Sequence, residues 1–335
     1  MKALMLRSTD GPQSAALEAI DTPVPAPGEV RVRLGAASLN HRELWIARGM
    51  YPGMALPTVL GADGAGRIEA VGDGVDESLI GREVVLYPGL RWGDDERFPS
   101  TSFGLLGMPG PGTIAEAVCV PAENAFARPA HLSALEAASL PVAALTAYRA
   151  LAVKARLAPG ERVLITGIGG GVATFGLLFA KAMGARVWVT SGSADTIAKA
   201  VAQGAEDGFD YHADQWGKAL RGIGGIDVVL DGAPGASFPS YARSLAMGAR
   251  VVVYGSTGGP SFAASAPELF LKHAALLGTA VGSPADFGAM LDFIAAHQLR
   301  PIIDRIFPLE DAAAALLHLE SSHGFGKVAI RIGGG

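Results

Sequence analysis

The residues whose types and spacing speak most directly of chemistry lie in "LITGIGGGVATFGLLFAKAMGA", residues 164 to 185. Gly167, Gly170 and Ala173 recur three apart, Gly169 fills the same turn, and Gly171 and Val172 lead into a helical stretch. A strand that ends in glycines lets the backbone approach a pyrophosphate closely, and the following helix points its positive N-terminal end at the anion. The turn follows the strand-like "RVLIT" and precedes a helix running to Gly184, which is the context such a motif requires. The alternative is a tight strand-to-helix connection whose glycines serve packing alone. The next strand-like run, "ARVWVTSGS", bears on the choice of nucleotide. An NAD-preferring site places Asp or Glu at that strand end, whereas this one ends in Ser191, Gly192 and Ser193, with Asp195 about a turn later. Two small hydroxyl side chains leave room for a 2′-phosphate and can donate to it. NADPH (NADP+) is therefore the expected cofactor. The nearest basic residue is Lys199, so NAD stays open.

The elements that must position this turn follow from periodicity. Residues 1 to about 125 read as β-rich: "EVRVRLGAAS" alternates apolar and polar side chains over Val30, Val32 and Leu34. "GRIEAVGDGV" and "GREVVLYPG" are further strands closed by glycine turns. "HRELWIARG" reads as a short helix ending on Gly49, and residues 91 to 112, with no clear period, as a long loop. After about Pro129 the chain turns alanine-rich and helical. Ser133 and Glu136 form a capping-box pattern, and Pro141 is expected to split the segment into two helices. "RVLITG", "ARVWVTSG", "IDVVLDGA" and "ARVVVYGS" are then continuous apolar runs alternating with helices, the pattern of a parallel sheet covered on both faces. From about Leu277 the pattern is mixed: helices near 284–298 and 309–321, then a last strand "KVAIRI".

Composition sets the limits. A chain of 335 residues is long for one core, so two domains are expected. Half the residues are hydrophobic, 18% are charged and the net charge is −5, which suits a globular enzyme and disfavours a nucleic-acid partner. The opening "MKALMLRSTDG" lacks a signal-peptide core, and no apolar run reaches the about 20 residues of a membrane span, so a cytoplasmic protein is expected. Cys119, the single cysteine, rules out an internal disulfide and reads as a small buried hydrophobe on a strand. His131, His212, His273, His297, His318 and His323 have no metal-like spacing and read as surface or capping residues.

Taken together, "AASLNHRELWIARGMYPGMALPTVLGADGAGRIEAVGDGV", "LTAYRAL", the glycine turn, "LKHAALLGTAVGSP" and the terminal "GFGKVAIRI" resemble the medium-chain dehydrogenase/reductase superfamily over nearly the whole chain. The resemblance implies an α/β architecture: a chaperonin-10-like β-rich catalytic domain from residues 1–125 and 280–335, and a Rossmann doubly wound parallel-sheet domain from 126–279, with the active site in the cleft between them. The superfamily's zinc branch holds its metal on a Cys, on the His of a "GHE" motif and on a further ligand. Those positions fall here on Asn40, on Ala62 of Gly61-Ala62-Asp63, and near Val142. Alanine and valine cannot coordinate a metal and Asn is a poor zinc ligand. No zinc is expected.

The chain instead resembles the zinc-free quinone oxidoreductases and related enone reductases. That likeness implies that Asn40 and Tyr51 line the substrate and nicotinamide pocket. Hydride transfer without a metal needs a donor to the substrate oxygen, for which Tyr51 is the first candidate and Asn40 the second. The alternatives are that Asn40 only closes the turn before its helix and that Tyr51 is a surface aromatic before Pro52-Gly53. Thr146 then lies near the nicotinamide and Tyr211 near the adenosine end. His41 is expected to face the cofactor phosphates or to be a solvated helix start, and Gly255 completes the expected cofactor-contacting set. Asp63 is expected to orient His41 or Arg42, or to satisfy backbone donors. The branch often carries a basic residue where Thr196 stands, which departs from the NADP pattern. The implied activity is metal-independent hydride transfer to a quinone or α,β-unsaturated carbonyl by a homodimer whose edge lies near "LFLKHAALLGTAVG". The alternatives are a non-catalytic NADPH-binding sensor or structural protein, and a zinc-type alcohol dehydrogenase.

Overall fold

The computed structural model describes residues 1–321 and 324–333 and divides the chain into two compact units, residues 1–145 with 283–335 and residues 146–282.

The first unit is built on the strand Glu29–Ser38, whose alternation buries Val30, Val32 and Leu34. Its neighbours are Asp63–Val71 and Ala117–Pro121, both antiparallel, and the C-terminal strand Lys327–Arg331, also antiparallel. Register decides what meets at the end of the central strand: Ser38 lies opposite Asp63 on one side and Ala329 on the other. Val30, Val32, Ile68, Val84, Leu86, Val118 and Val120 pack into one core. A second core joins Leu4, Leu6, Leu39, Ile46 and Leu60 to Leu316, Val328 and Ile330, so the two ends of the chain share it.

The capping box forms as read, with the Glu136 carboxylate accepting from the Ser133 N–H at 2.7 Å and the Ser133 hydroxyl from the Glu136 N–H at 3.3 Å. Pro141 separates the helices Ala134–Ala138 and Pro141–Tyr148. Two readings need correction. Residues 126–145 fall in the first unit, where Ala134 stands close to the central strand: a Cβ on Gly35 would be 3.3 Å from that of Ala134. Nor is the stretch 91–112 wholly a loop. Gly89–Leu90 pairs with Gly104–Leu105, and Trp92, Leu106 and Met108 are buried beside them, so the ribbon is held by packing that has no sequence period.

The second unit is a six-stranded parallel sheet in the order Asp207–Asp210, Arg186–Ser191, Arg162–Ile165, Ile226–Asp231, Leu245–Val253, Ala275–Gly278. In chain order this is 3-2-1-4-5-6, the doubly wound arrangement whose switch point lies between its first and fourth strands. The helix Gly171–Ala182 covers the centre of the sheet, and Gly176 explains how closely. A Cβ there would reach 2.4 Å from Leu230 Cδ2.

Candidate functional site

The first unit gathers a buried polar cluster at the end of its central strand. Asn40 precedes the helix His41–Ala47, and its backbone N–H donates to the Glu43 carboxylate at 2.7 Å. Its side-chain amide donates to Asp63 Oδ2 at 2.8 Å and accepts from Lys327 Nζ at 2.6 Å. Asp63 Oδ2 also accepts from Ser38 Oγ at 2.8 Å and from Lys327 Nζ at 3.0 Å, while Oδ1 accepts from the Val142 N–H at 2.8 Å. The Asp63 and Lys327 side chains are 0% and 2% exposed. Asp63 thus bonds to neither His41 nor Arg42; of its expected roles it fills the third, accepting a backbone donor at Val142. The strand register aims its carboxylate at Asn40 and Lys327, and a backbone donor from the helix Pro141–Tyr148 completes its shell.

Tyr51 belongs to an adjoining chain of contacts. The Arg42 guanidinium lies 4.9 Å from the Tyr51 ring centre, pairs with Glu43 Oε1 at 2.9 Å and donates to the Leu106 carbonyl at 2.9 Å. Glu43 therefore links Asn40 to Arg42, and Arg42 links to Tyr51. Burial pushes the Glu43 carboxyl above the usual range against the pull of Arg42 and the Asn40 N–H. With Phe103, Leu105, Met108 and Pro109, Tyr51 lines a cavity of about 340 Å³. His41 keeps an exposed side chain, yet desolvation, and then the Lys327 charge, disfavour its imidazolium form.

In the second unit the glycine turn takes a shape open to a ligand. Gly167 and Gly169 adopt φ of 62° and 139°, and a Cβ placed on Gly167 or Gly170 would meet nothing within 4 Å. The helix Gly171–Ala182 starts at Gly170 with no side-chain cap, leaving its first N–H groups available beside Val172 and the buried Ala173. Beneath the turn, the Gly167 N–H donates to Thr190 Oγ1 at 3.0 Å and the Thr166 hydroxyl to the buried Asp231 at 2.6 Å, tying the turn to both neighbouring strands. Asp231 also accepts from Ser237 and Tyr241 hydroxyls at 2.8 and 2.6 Å. These features fit a dinucleotide.

At the next strand end, the Ser193 N–H donates to Ser191 Oγ at 3.2 Å, and Ser193 Oγ caps the helix Ala194–Ala202 by accepting from the Thr196 N–H at 3.4 Å. Tyr211 is 47% exposed and its N–H donates to the Ser191 carbonyl at 3.2 Å. A Cβ on Gly192 would come within 2.9 Å of the Tyr211 hydroxyl, so Tyr211 lies beside this strand end, at which Ser191 is buried. Thr146 is buried, its hydroxyl accepting from the Val281 N–H at 3.2 Å. Gly255 follows the strand Leu245–Val253, where a Cβ would stand 3.0 Å from the Gly232 carbonyl.

Sequence reasoning missed Lys327, Glu43 and Asp231, and took Arg42 only as a partner for Asp63. Lys327 carries a signal, a charge at a buried position of "KVAIR", whose other charge, Arg331, is exposed. Glu43 carries another, standing three residues after Asn40 in a capping pattern. His131 bonds the Leu299 carbonyl at 2.9 Å and His297 follows the helix Pro284–Ala296; His323 lies outside the described residues.

The arrangement does not suit zinc. Ala62 and Val142 offer no ligating side chain, and Asp63 already accepts four hydrogen bonds, one of them from an ammonium that repels a dication.

A β-rich unit closed by both chain ends, joined to a doubly wound parallel sheet with a glycine turn at its switch point, defines an oxidoreductase of the medium-chain type. Residues 26–130 match the "Alcohol dehydrogenase GroES-like domain" family and residues 171–296 the "Zinc-binding dehydrogenase" family. The zinc-type alcohol dehydrogenase-like protein YogA of Leptosphaeria maculans is 35% identical over 94% of each chain, and the quinone oxidoreductase of Mus musculus 28% identical over 98% of this chain and 96% of its own. A crystal structure of an NAD-dependent alcohol dehydrogenase superposes with a TM-score of 0.93 at 35% identity, covering 99% of this chain and 100% of the other. The chain belongs to the medium-chain dehydrogenase/reductase superfamily.

Proposed function

We propose that the protein is a metal-independent, NADP(H)-dependent reductase of quinones or α,β-unsaturated carbonyls. The observation that carries this reading is the Asn40–Asp63–Lys327 cluster: a protein cation lies 3.0 Å from the carboxylate of the "GAD" segment, and the remaining metal positions hold Ala62 and Val142. Without a Lewis acid to polarise an isolated carbonyl, a conjugated acceptor is the easier partner, since hydride at its β-carbon leaves the negative charge on an oxygen that hydrogen bonds can serve.

When bound, the cofactor supplies the hydride. The chain's own residues do the rest. Gly167, Gly169, Gly170, Gly171, Val172 and Ala173 receive the pyrophosphate. Ser191, Ser193 and Tyr211 take the 2′-phosphate. His41, Thr146 and Gly255 complete the cofactor's surroundings. The Asn40 amide and the Tyr51 hydroxyl donate to the substrate oxygen, and Tyr51 passes a proton to it as the product forms.

The likeness to the mouse quinone oxidoreductase supports this choice of substrate class. The protein works on small molecules in the cytoplasm, as a homodimer. Among the described residues the edge strand Ala275–Gly278 is paired on one side only, and Phe270, Leu271 and Leu276 stand exposed beside and along it.

The test is a fluorescence titration with NADPH and NADH, metal analysis of the same sample, and a turnover screen over quinones and enones. The expected result is tighter NADPH binding, substoichiometric zinc and turnover of conjugated acceptors. Preference for NADH with alcohol oxidation, or one zinc per chain, would overturn the reading. Tight NADPH binding with no turnover on any acceptor would favour a non-catalytic sensor.

A further inference from the structure

Lys327 is the strongest feature that the proposed chemistry leaves without a task. It comes from the last strand of the chain, 287 positions from Asn40 and 264 from Asp63, yet its ammonium is buried against both. An ammonium has three N–H donors, and all three are used here: on the Leu39 carbonyl at 2.7 Å, on Asn40 Oδ1 at 2.6 Å and on Asp63 Oδ2 at 3.0 Å. No donor remains for a substrate or a phosphate, so direct catalysis by Lys327 is unavailable in this geometry.

What the three bonds do is fix an amide. A side-chain amide can be turned either way round, and the choice decides whether it presents a donor or an acceptor. Lys327 can only donate, so the atom 2.6 Å from it must be the amide oxygen. Asp63, as a carboxylate, can only accept, so the atom 2.8 Å from it must be the amide nitrogen. One N–H of Asn40 is bound to Asp63 and its second N–H is left over. A cation on the oxygen and an anion on one N–H also polarise the amide in the same sense, which strengthens the remaining donor. Electrostatic neutrality holds within the cluster, with one positive and one negative side chain.

We propose that Lys327 is a positioning residue that, with Asp63, locks the Asn40 amide so that a polarised N–H faces the substrate oxygen. The proposal deepens the reductase reading and rests on it for the identity of what that N–H meets. It also gives a physical account of how a donor set poor in metal ligands serves an oxyanion: the positive charge acts through the amide.

The sequence makes the test clean, because the chain has two asparagines, Asn40 and Asn124. The Asn124 amide donates both protons, to the Tyr87 and Gly89 carbonyls, and serves as an internal control. Protein labelled with [¹⁵N]asparagine is compared by NMR as wild type and as the charge-neutral double variant Lys327→Met/Asp63→Ala, which adds no asparagine and avoids leaving one buried charge alone. Thermal melts establish that both are folded. NADPH affinity is titrated, and kcat and KM are measured with a quinone.

Wild type is expected to show an Asn40 pair with one strongly deshielded proton and one that shifts on adding the quinone to the NADP+ complex. In the double variant the deshielding and the response vanish while Asn124 stays put. kcat falls about 10²-fold, the scale of one lost oxyanion donor, with KM and NADPH Kd little changed. An unchanged Asn40 pair in the folded double variant would overturn the proposal. So would a loss of NADPH affinity with an intact Asn40 signal, which would assign Lys327 to the cofactor instead. Should wild type turn over no acceptor while the Asn40 pair collapses in the double variant, the reductase reading fails and the assignment of Lys327 as the amide's lock stands.

Discussion

Replacing Ser193 by Asp tests the cofactor assignment at a position where the fold should not respond. Ser193 Oγ caps the helix Ala194–Ala202 through the Thr196 N–H, and Asp caps as well as Ser. The new carboxylate sits at the strand end beside Tyr211, where the 2′-phosphate is proposed to bind. At about 5 Å and an effective dielectric of about 40, each pair of like unit charges costs about 1.7 kcal/mol. A phosphate monoester carrying about −1.5 to −2 charges raises this to about 2.5–3.3 kcal/mol. That is about 60- to 250-fold in Kd at low salt, falling to about tenfold at 0.15 M because the Debye length there is about 8 Å. NADH carries no such phosphate, and its ribose hydroxyls can bond the carboxylate, so its Kd should hold or fall. Nicotinamide fluorescence titrations at two ionic strengths, with melting curves as the control for folding, read both quantities. If the NADPH-to-NADH ratio stays constant in a variant that melts like wild type, the 2′-phosphate does not bind at Ser193 and the reasoning fails.

Three further outcomes are expected. Tyr51→Phe should lower kcat for a quinone by about 10²-fold or more, the scale of a lost proton donor, with NADPH affinity unchanged; equal loss of affinity would move Tyr51 to the cofactor. Glu136→Ala should cost about 1 kcal/mol near neutral pH by breaking the capping box. Burial raises the Glu136 carboxyl's pKa, but the Ser133 N–H, Arg300 and the Ser133 hydroxyl outweigh it and hold the value below 4.5. The stabilisation is therefore present above that value and lost as pH falls through the lowered one, so melts of wild type and variant should converge in acid. Cys119 is buried, and desolvation pushes its thiol up to about 11, so a disulfide reagent at pH 8 should modify it only after denaturant is added. Fast labelling of the native protein would contradict that placement.

The sequence carried a large share of the architecture. Four continuous apolar runs separated by helices gave the centre of a parallel sheet, because strands covered on both faces have no polar side to alternate. The glycine turn was legible because the strand end and helix start that shape it are local, as were the capping box at Ser133 and Glu136 and the break at Pro141. The short strands Asp207–Asp210 and Ile303–Pro308 were not, since each carries acidic or basic residues that hide its period.

The candidate site divides along the same line. Sequence alone determined what the compared positions carry: Asn40, Ala62 and Val142 bring neither a thiol nor an imidazole. Only the tertiary structure decided what those positions have instead. Lys327 and Asp63 reach Asn40 because two antiparallel strands flank Glu29–Ser38 in one register, and a shift of one residue would turn both side chains to the other face. Register between strands 264 residues apart is settled by packing the whole sheet, and no local pattern records it.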